Sequence, residues 1–469
     1  MEYDTGDFVM IHKVFRLVVS TLACHPHFTV ITKPQNPVIM SLHSFKPTIL
    51  LVGMLLPTFL HAIPDTVFPP VFAANSPLNG EDITPELIAA AVWKDGAALP
   101  GTWQNESRIA AAEVSHLLAR PKVFGQEVVL LRAMHRDGRL MSLDATFADA
   151  GSFFGYFDEK LPEDLDRRAQ RKELELRVSK RQTEFAEMYV ETLESLHSTL
   201  AESAKPRSTK MGHTRTLRAE TQDYIVGDLT FRLLAADQRL IRVTIARSTD
   251  LPDSWLDPDI AVLDPRERLK RLQQSVVKSD DGTVSITGLQ PVPQGYRPYC
   301  GLNSLAIASR HFGLHIDEDW LAVAGGFKNT GSADGSNILR LYSAVAAEAG
   351  LSVIRSRKFD ETAIKRALAD GLPVVVWRRF SYERDQVHTQ FARTYAQSPA
   401  AVLADPSNPA ERESWPNEDA PLHASVLMGY HEERGEFLFL ESWSGRDKPR
   451  RMRTAELDAT AYLSFVFQP

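Results

Sequence analysis

Cysteine is the residue that most constrains how this chain can fold. Only two of its 469 residues are cysteine, Cys24 and Cys300, whereas 43% of the residues are hydrophobic. Two thiols so far apart are too few for a disulfide scaffold or for a zinc site built from cysteines. The fold must therefore be held together by apolar cores. A chain of this length predicts about two to four folded units.

The charge balance argues against several classes of partner. The net charge is −7, and 24% of the residues are charged, which is close to the average for soluble globular proteins. Such a chain has no strong positive field that would attract nucleic acid or anionic lipid. We therefore expect no nucleic-acid partner. The sequence also predicts neither a metal site nor a cofactor.

The amino-terminal part contains an apolar segment from Pro47 to Ala62. This segment is short for a membrane span, which needs about 20 apolar residues, and has the length of a signal-peptide core. We predict a signal peptide over residues 40–62, preceded by an upstream artefact or leader at 1–39. The protein would then be secreted or periplasmic, with no integral membrane domain beyond this segment and with Cys300 as its only thiol. An uncleaved membrane anchor and a buried core segment are the alternatives.

Residues 63–250 predict an α+β accessory domain that contains two related hairpins. In residues 128–147, apolar and polar residues alternate on either side of Asp137-Gly138, a strong hairpin signal. Residues 229–247 repeat this pattern, and the tripeptide Arg-Leu-Met of the first stretch returns as Arg-Leu-Ile. We expect the two hairpins to pair in one antiparallel sheet.

A long helix is predicted between the hairpins. Residues 162–204 are rich in Glu, Lys, Arg, Leu and Ala and lack glycine. Apolar residues at spacings of three and four form a thin stripe, which comprises Val178, Phe185, Met188, Tyr189, Leu193, Leu196 and Leu200. The stripe favours a helix with one face on a core, and a coiled coil is the alternative. Nothing in 63–250 has a catalytic pattern, so we interpret it as an accessory or inhibitory module.

Candidate reactive residues lie in residues 290–469, after a predicted linker at 251–289. Cys300 follows a polar loop and precedes a helical apolar pattern, so it is expected at a helix start. The unpaired amides and the dipole at that end of a helix favour a thiolate. Downstream, His423 begins an apolar strand, and Glu441 ends the next one. Two neighbouring antiparallel strands would bring these two side chains together.

This pattern resembles the papain-like cysteine peptidases. Gln294 precedes Cys300 by six positions, His423 is followed by an apolar strand and a Gly-Tyr pair, and Glu441 begins the run Glu-Ser-Trp-Ser-Gly. The intervening segments are similar to those of a bacterial branch, the peptidases that process bacteriocin leaders at double-glycine sites. The resemblance covers about residues 290–469.

The resemblance implies a papain-like domain with a helical lobe and an antiparallel sheet, in a chain of the α+β class. It implies that Cys300 is the nucleophile, His423 the base, Glu441 the residue that orients His423, and Gln294 an oxyanion donor. Glu441 stands where papain has Asn and where the leader-processing branch usually has Asp. A carboxylate can accept the histidine N–H, although Glu is one methylene longer and must be positioned differently.

Two further features qualify the resemblance. The segment 378–420 is long, and we expect it beside the cleft. The sequence contains no Gly-x-x-x-x-Gly-Lys-Ser/Thr motif, so the ATPase of the leader-processing transporters is absent.

The sequence thus predicts a secreted cysteine hydrolase, in the first place a peptidase, that acts on a peptide or protein substrate. Two alternatives remain open. One is a non-catalytic module that keeps the cleft and binds a peptide or a protein in it. The other is an acyltransferase similar to transglutaminases, in which an amine replaces water and the Cys-His-acid logic is unchanged.

Overall fold

The structure is a computed structural model that describes residues 72–109, 112–149, 167–236, 238–294, 299–327, 335–443 and 448–469. Cys24, the predicted leader and the predicted signal peptide lie outside these ranges. Helices and antiparallel sheets make up the described chain, which confirms the α+β class. Within these ranges, no helix is both long enough and apolar enough to cross a membrane.

The first sheet has eight antiparallel strands in the order β1-β2-β5-β6-β10-β9-β8-β7, and β3 and β4 form a separate ribbon. The strands are β1 (Trp103–Ile109), β2 (Ala112–Leu117), β3 (Lys122–Val123), β4 (Gln126–Glu127), β5 (Leu130–Arg136), β6 (Arg139–Asp149), β7 (Arg207–Met211), β8 (Ala219–Val226), β9 (Leu229–Ala236) and β10 (Leu240–Arg247).

Both predicted hairpins are present in the first sheet. The turn between β5 and β6 has Asp137 at φ 52° and Gly138 at φ 77°, and two positive values are what a type I′ hairpin turn requires. The turn between β9 and β10 contains Gln238, also at positive φ. Because β6 pairs with β10, the two hairpins are joined in one antiparallel sheet, as the sequence predicted.

A short helix, α1 (Thr84–Ile88), precedes the first sheet, and a long helix, α2 (Arg167–Ser203), lies between its hairpins. The stripe of α2 packs into the core of the sheet: Phe185, Tyr189, Leu196 and Leu200 are buried, and Met188 and Leu193 are partly buried against them. The side chain of Val178 is outside the described set. These contacts confirm the prediction of a helix with one face on a core.

The second sheet has the order β11-β12-β15-β14-β18-β13, with β16 beside β15 and β17 beside β16. Its strands are β11 (Val276–Lys278), β12 (Thr283–Ile286), β13 (Ser352–Ser356), β14 (Val374–Arg379), β15 (Leu422–His431), β16 (Glu436–Leu440), β17 (Arg450–Arg453) and β18 (Ala461–Gln468). Strands β14 and β15 are central, and β15 begins one residue before His423.

Nine helices of the described chain accompany the second sheet. They are α3 (Pro258–Ala261), α4 (Pro265–Gln274), α5 (Cys300–His311), α6 (Glu318–Ala324), α7 (Gly335–Glu348), α8 (Glu361–Ala369), α9 (Tyr382–Gln397), α10 (Pro409–Glu413) and α11 (Thr454–Thr460). Helix α5 packs on β14 and β15, which places the start of the helix beside the start of β15. The long segment 378–420 contributes α9 and α10.

The two sheets share apolar contacts. Leu234 and Leu240 of the first sheet belong to the same core cluster as Tyr299 and Leu302 of the second region. The segment predicted as a linker, 251–289, contains α3, α4, β11 and β12, and the two strands pair within the second sheet. The position of the domain boundaries stays a prediction.

Candidate active site

Cys300 is the first residue of α5, and its thiol is buried. The helix is held in place by two side-chain hydrogen bonds, one from helix α7 and one to the second sheet. Tyr342 Oη donates to the carbonyl of Gly301 over 2.7 Å, and Ser304 Oγ donates to the carbonyl of Ala424, next to His423, over 3.1 Å. The start of α5 is therefore fixed relative to β15, and unpaired helix amides favour a thiolate at Cys300.

Glycine at position 301 is required by a close approach. A Cβ atom there would lie 2.7 Å from the ring of Trp377, which is closer than side chains pack. The indole of Trp377 therefore lies directly against the first turn of α5. This contact lets the start of α5, with Cys300, approach the central strand β14.

His423 is the second residue of β15, and its imidazole is hydrogen-bonded to both Cys300 and Glu441. The Nε2 atom faces a carboxylate oxygen of Glu441, which leaves the other ring nitrogen for the thiol. Burial alone would lower the pKa of His423, but the charge of Glu441 and the hydrogen bonds to Cys300 and Glu441 raise the pKa to about 9. The imidazole therefore holds its proton at neutral pH, which is the state that accompanies a cysteine thiolate.

Glu441 follows β16 directly and is fully buried. Its Oε2 atom accepts the hydrogen bond from His423, and its Oε1 atom lies 2.8 Å from Arg378 Nη2 and 3.0 Å from Arg450 Nη2. Ser425 Oγ donates to the same Oε1 over 3.0 Å. Burial would raise the pKa of Glu441, but His423 and the two arginines outweigh it and hold that pKa far below its usual range.

Two aromatic rings cover the histidine. Trp443 is stacked on His423 with ring centroids 4.1 Å apart and an angle of 25° between the planes. Phe380 meets Trp443 edge-on at 4.9 Å and lies 5.5 Å from His423. Because these rings exclude water from one side of the imidazole, its bond to Glu441 is protected from solvent.

Gln294 is attached to the residue that follows Glu441. Its backbone N–H donates to the carbonyl of Ser442 over 2.7 Å, and its Oε1 accepts from Ser442 Oγ over 2.7 Å. With the amide oxygen held there, the Nε2 donors of Gln294 face away from Ser442. Residues 295–298, which connect Gln294 to Cys300, lie outside the described ranges.

Of the four predicted site residues, Cys300, His423 and Glu441 form one hydrogen-bonded series, and Gln294 is anchored beside Glu441 through Ser442. Sequence reasoning missed Arg378 and the other residues that hold Glu441, namely Arg450 and Ser425. The signal for Arg378 is its position after the apolar run Val374–Trp377, where a charge needs a partner. No spacing in the sequence singles out Arg450.

No group of three or more His, Cys, Asp or Glu side chains in the described part of the chain is arranged to hold a metal ion. His311 and His315 do have the His-x-x-x-His spacing of many zinc sites. His311 Nε2 lies 2.9 Å from the carbonyl of Gly371, however, and His315 Nε2 lies 3.0 Å from Asp257. The two imidazoles therefore have separate structural partners.

Comparison with known proteins gives little further information. No protein-family model matches the chain. No curated protein matches it in sequence. Among solved structures, it is similar to a protein from Bacillus anthracis that is provisionally described as a C39-like peptidase, with 14% sequence identity, a TM-score of 0.25, and coverage of 39% of this chain and 97% of that chain. A TM-score this low establishes neither fold nor function, so the geometry of the site must support any proposal.

Proposed function

We propose that this chain is a cysteine hydrolase that cleaves peptide bonds, with Cys300 as the nucleophile, His423 as acid and base, and Glu441 as the residue that orients His423. The observation that carries the proposal is the hydrogen-bonded series from Cys300 through His423 to Glu441, with the thiol at the start of α5. The class of bond is taken from the resemblance of the Gln294 and His423 segments to papain-like peptidases.

The first half of the reaction begins with the thiolate of Cys300. It forms a C–S bond to the peptide carbonyl carbon, and the carbonyl oxygen becomes an oxyanion. The backbone N–H of Cys300 and the side-chain amide of Gln294 would stabilise this charge. The imidazolium of His423 then gives its proton to the leaving nitrogen as the C–N bond breaks, which releases an amine and leaves a thioester.

The second half of the reaction regenerates the thiolate. Neutral His423 takes a proton from a water molecule, whose oxygen attacks the thioester carbon. The C–S bond breaks, a carboxylic acid leaves, and Cys300 is again a thiolate beside an imidazolium. Throughout the cycle Glu441 stays ionised and stabilises the protonated histidine.

The first test compares histidines at the two ends of one strand. His423→Gln should lower kcat/KM against a peptide library by at least about 1000-fold, and Cys300→Ala should abolish turnover. His431→Gln is the matched control, because His431 ends the same strand β15 and is also buried. Equal losses in both histidine variants would contradict the assigned role of His423.

A second test separates an enzyme from a binding module. The alkylation rate of Cys300 by iodoacetamide should reach its plateau below pH 7, whereas an ordinary thiol with a pKa near 8.5 is still protonated there. A rate that rises only above pH 8 would favour the module that binds without catalysis. Adding a primary amine during turnover distinguishes hydrolysis from acyl transfer, because transfer would give an amide product.

A third test concerns the oxyanion. Gln294→Ala should lower kcat by roughly 100-fold to 1000-fold, because one preorganised donor to the developing charge is lost. Gln273→Ala is a suitable control, since Gln273 Nε2 donates to Asp370 on an exposed surface and contacts none of the site residues named above. Unchanged turnover in Gln294→Ala would remove this residue from the mechanism.

We also propose that the protein acts outside the cytoplasm, on the strength of the predicted signal peptide at 40–62. Amino-terminal sequencing of the protein recovered from the medium or periplasm should begin at Ile63. Recovery of residues 1–39 on the exported protein would contradict this proposal.

A further inference from the structure

We propose that Arg450 and Arg378 are positioning residues for Glu441, and that Arg450 links this carboxylate to helix α9 of the segment 378–420. This inference rests on the proposed function, since it concerns the residue that orients His423. It assigns a task to a segment that the resemblance to papain-like peptidases does not explain.

The two oxygens of Glu441 have separate partners. Oε2 contacts His423, while Oε1 lies within 3.0 Å of Arg378 Nη2, Arg450 Nη2 and Ser425 Oγ. Three groups on one oxygen fix the rotation of the carboxyl group, so that the other oxygen is directed at the imidazole. A glutamate has one more rotatable bond than an aspartate, so it needs this additional restraint.

Both arginines are themselves restrained. Arg378 Nε donates to Ser425 Oγ over 3.1 Å, and Arg450 Nη1 donates to Asp385 Oδ1 and, over 3.2 Å, to Thr389 Oγ1. Asp385 and Thr389 are one helical turn apart on α9. The guanidinium of Arg450 therefore bridges α9 on one side and Glu441 on the other.

Helix α9 is anchored in turn to α11. Arg384 donates to both carboxylate oxygens of Glu456, and His388 Nε2 lies 3.2 Å from the same carboxylate. Arg384, His388 and Glu456 are all buried. Each buried charge costs several kcal/mol of folding free energy unless it is paired, so these paired charges keep α9 and α11 in one arrangement. The inserted segment is thus a fixed support behind Glu441.

The charges around the site balance. The groups that face Glu441 and His423 are Cys300 from α5, Arg378 from β14 and Arg450 from β17, with Asp385 and His388 of α9 behind Arg450. Two guanidinium groups offset the two carboxylates, Glu441 and Asp385. The proton on His423 is then balanced by the thiolate of Cys300 rather than by an excess of negative charge.

The experiment uses the full chain and three variants. Arg450→Met removes the bridge. Asp385→Asn keeps the shape of the side chain at 385 but removes the negative charge that faces Arg450. Arg451→Met is the control. Arg451 is the next residue of β17, is also buried, and pairs with Glu436 over 3.2 Å instead of with Glu441. The readouts are kcat and KM for a peptide substrate, the pH profile of Cys300 alkylation, and the melting temperature.

We expect Arg450→Met to lower kcat by about 10-fold to 100-fold with KM little changed, because a displacement of about 1 Å in a catalytic group costs about 100-fold. Above the plateau, the alkylation rate should change again where His423 loses its proton, and we call this part of the profile its basic limb. The basic limb should move to lower pH in Arg450→Met, because His423 loses its oriented carboxylate. Asp385→Asn should shift both readouts in the same direction by a smaller amount. Arg451→Met should lower the melting temperature and leave kcat and the limb unchanged.

The outcomes separate this inference from the proposed function. If the wild type hydrolyses peptides but Arg450→Met and Asp385→Asn leave kcat and the limb unchanged, the positioning role is overturned and the hydrolase stands. If the wild type cleaves nothing but the limb still moves, the positioning role stands and the hydrolase fails. A limb that moves to higher pH with undiminished kcat would show that Arg450 acts only as a charge, and would also overturn the positioning role.

Discussion

The first and second sheets each bury a cluster of imidazole, carboxylate and guanidinium groups. In the first sheet, His116 Nδ1 lies 3.2 Å from Glu106, and Arg132 Nη2 donates to the same carboxylate over 3.0 Å. Arg132 continues to Glu318, the first residue of α6, over 3.1 Å. This cluster therefore joins the first sheet to the second region of the chain.

The second cluster has the same three types of side chain but a different neighbour. His423 is bonded to Glu441, which is held by Arg378 and Arg450, and its other nitrogen faces the thiol of Cys300. Residues 72–250 contain no cysteine. Both sheets therefore use histidine and arginine side chains to neutralise a buried glutamate, and this pairing alone does not indicate a reactive site. In the proposed function, the thiol at a helix start gives the second set its chemistry.

The largest expected difference comes from changing the glutamate of each cluster. Glu441→Gln should lower kcat/KM by roughly 1000-fold to 10,000-fold, because the donors at Oε1 would hold the amide oxygen and turn the NH2 group toward His423, which removes both the acceptor and the charge that stabilise the imidazolium. Glu106→Gln should leave kcat/KM unchanged and lower only the unfolding free energy. Steady-state kinetics on the two variants measure this, and a similar kinetic loss in both would break the comparison.

A smaller effect is expected from Arg132→Met. Removing this cation leaves Glu106 and Glu318 buried without their shared partner, which should cost about 3–5 kcal/mol of unfolding free energy. Urea denaturation measures the loss. The pH profile of Cys300 alkylation should be the same as in the wild type, and a shifted profile would show that the first cluster also tunes the site.

The smallest effect is the response to acid, which should have opposite signs at one carboxyl group of each region. In the second region, burial alone would raise the pKa of Glu456, but its bonds to Arg384 and His388 lower it to about 2 from 4.5. The stabilisation by Glu456 is therefore complete above pH 4.5 and is lost as the pH falls towards 2. One carboxyl contributes at most about 1.4 kcal/mol per pH unit.

In the first region, Asp144 responds in the other direction. Partial burial raises the pKa of Asp144, against the opposing charge of Arg242. The folded state thus takes up this proton at a higher pH than the unfolded state does. Protonation in acid therefore removes the free-energy cost of keeping an ionised Asp144 in the folded protein. Hydrogen exchange, corrected for intrinsic rates, should show α11 losing protection before β6 between pH 4.5 and pH 3. The reverse order would contradict the assignment.

The parts of the fold with local signals could be predicted from the sequence. Asp137-Gly138 between alternating residues marks one hairpin, the similar stretch at 229–247 marks the other, and a polar loop before an apolar helix places Cys300 at the start of α5. The approach of His423 to Glu441 could be predicted because their strands are neighbours along the chain and pair antiparallel.

Partners far apart in sequence could not be predicted in this way. Arg378 and Glu441 are 63 positions apart, and the bridge from Arg450 to Asp385 spans 65. Periodicity shows which face of an element is buried, but it does not show which distant charge will neutralise a buried one. The link from Arg132 to Glu318, which joins the two regions, has no local signature for the same reason.

The stacked pair of Trp443 and His423 has an optical consequence. With 4.1 Å between the two ring centroids, the indole is in direct electronic contact with the imidazole, and a protonated imidazole quenches indole emission. The emission of Trp443 should therefore brighten as His423 loses its proton near pH 9. Replacing Trp443 would identify its share among the seven tryptophans. Trp443 would then report the protonation state of His423 with no substrate present, independently of whether the proposed hydrolysis occurs.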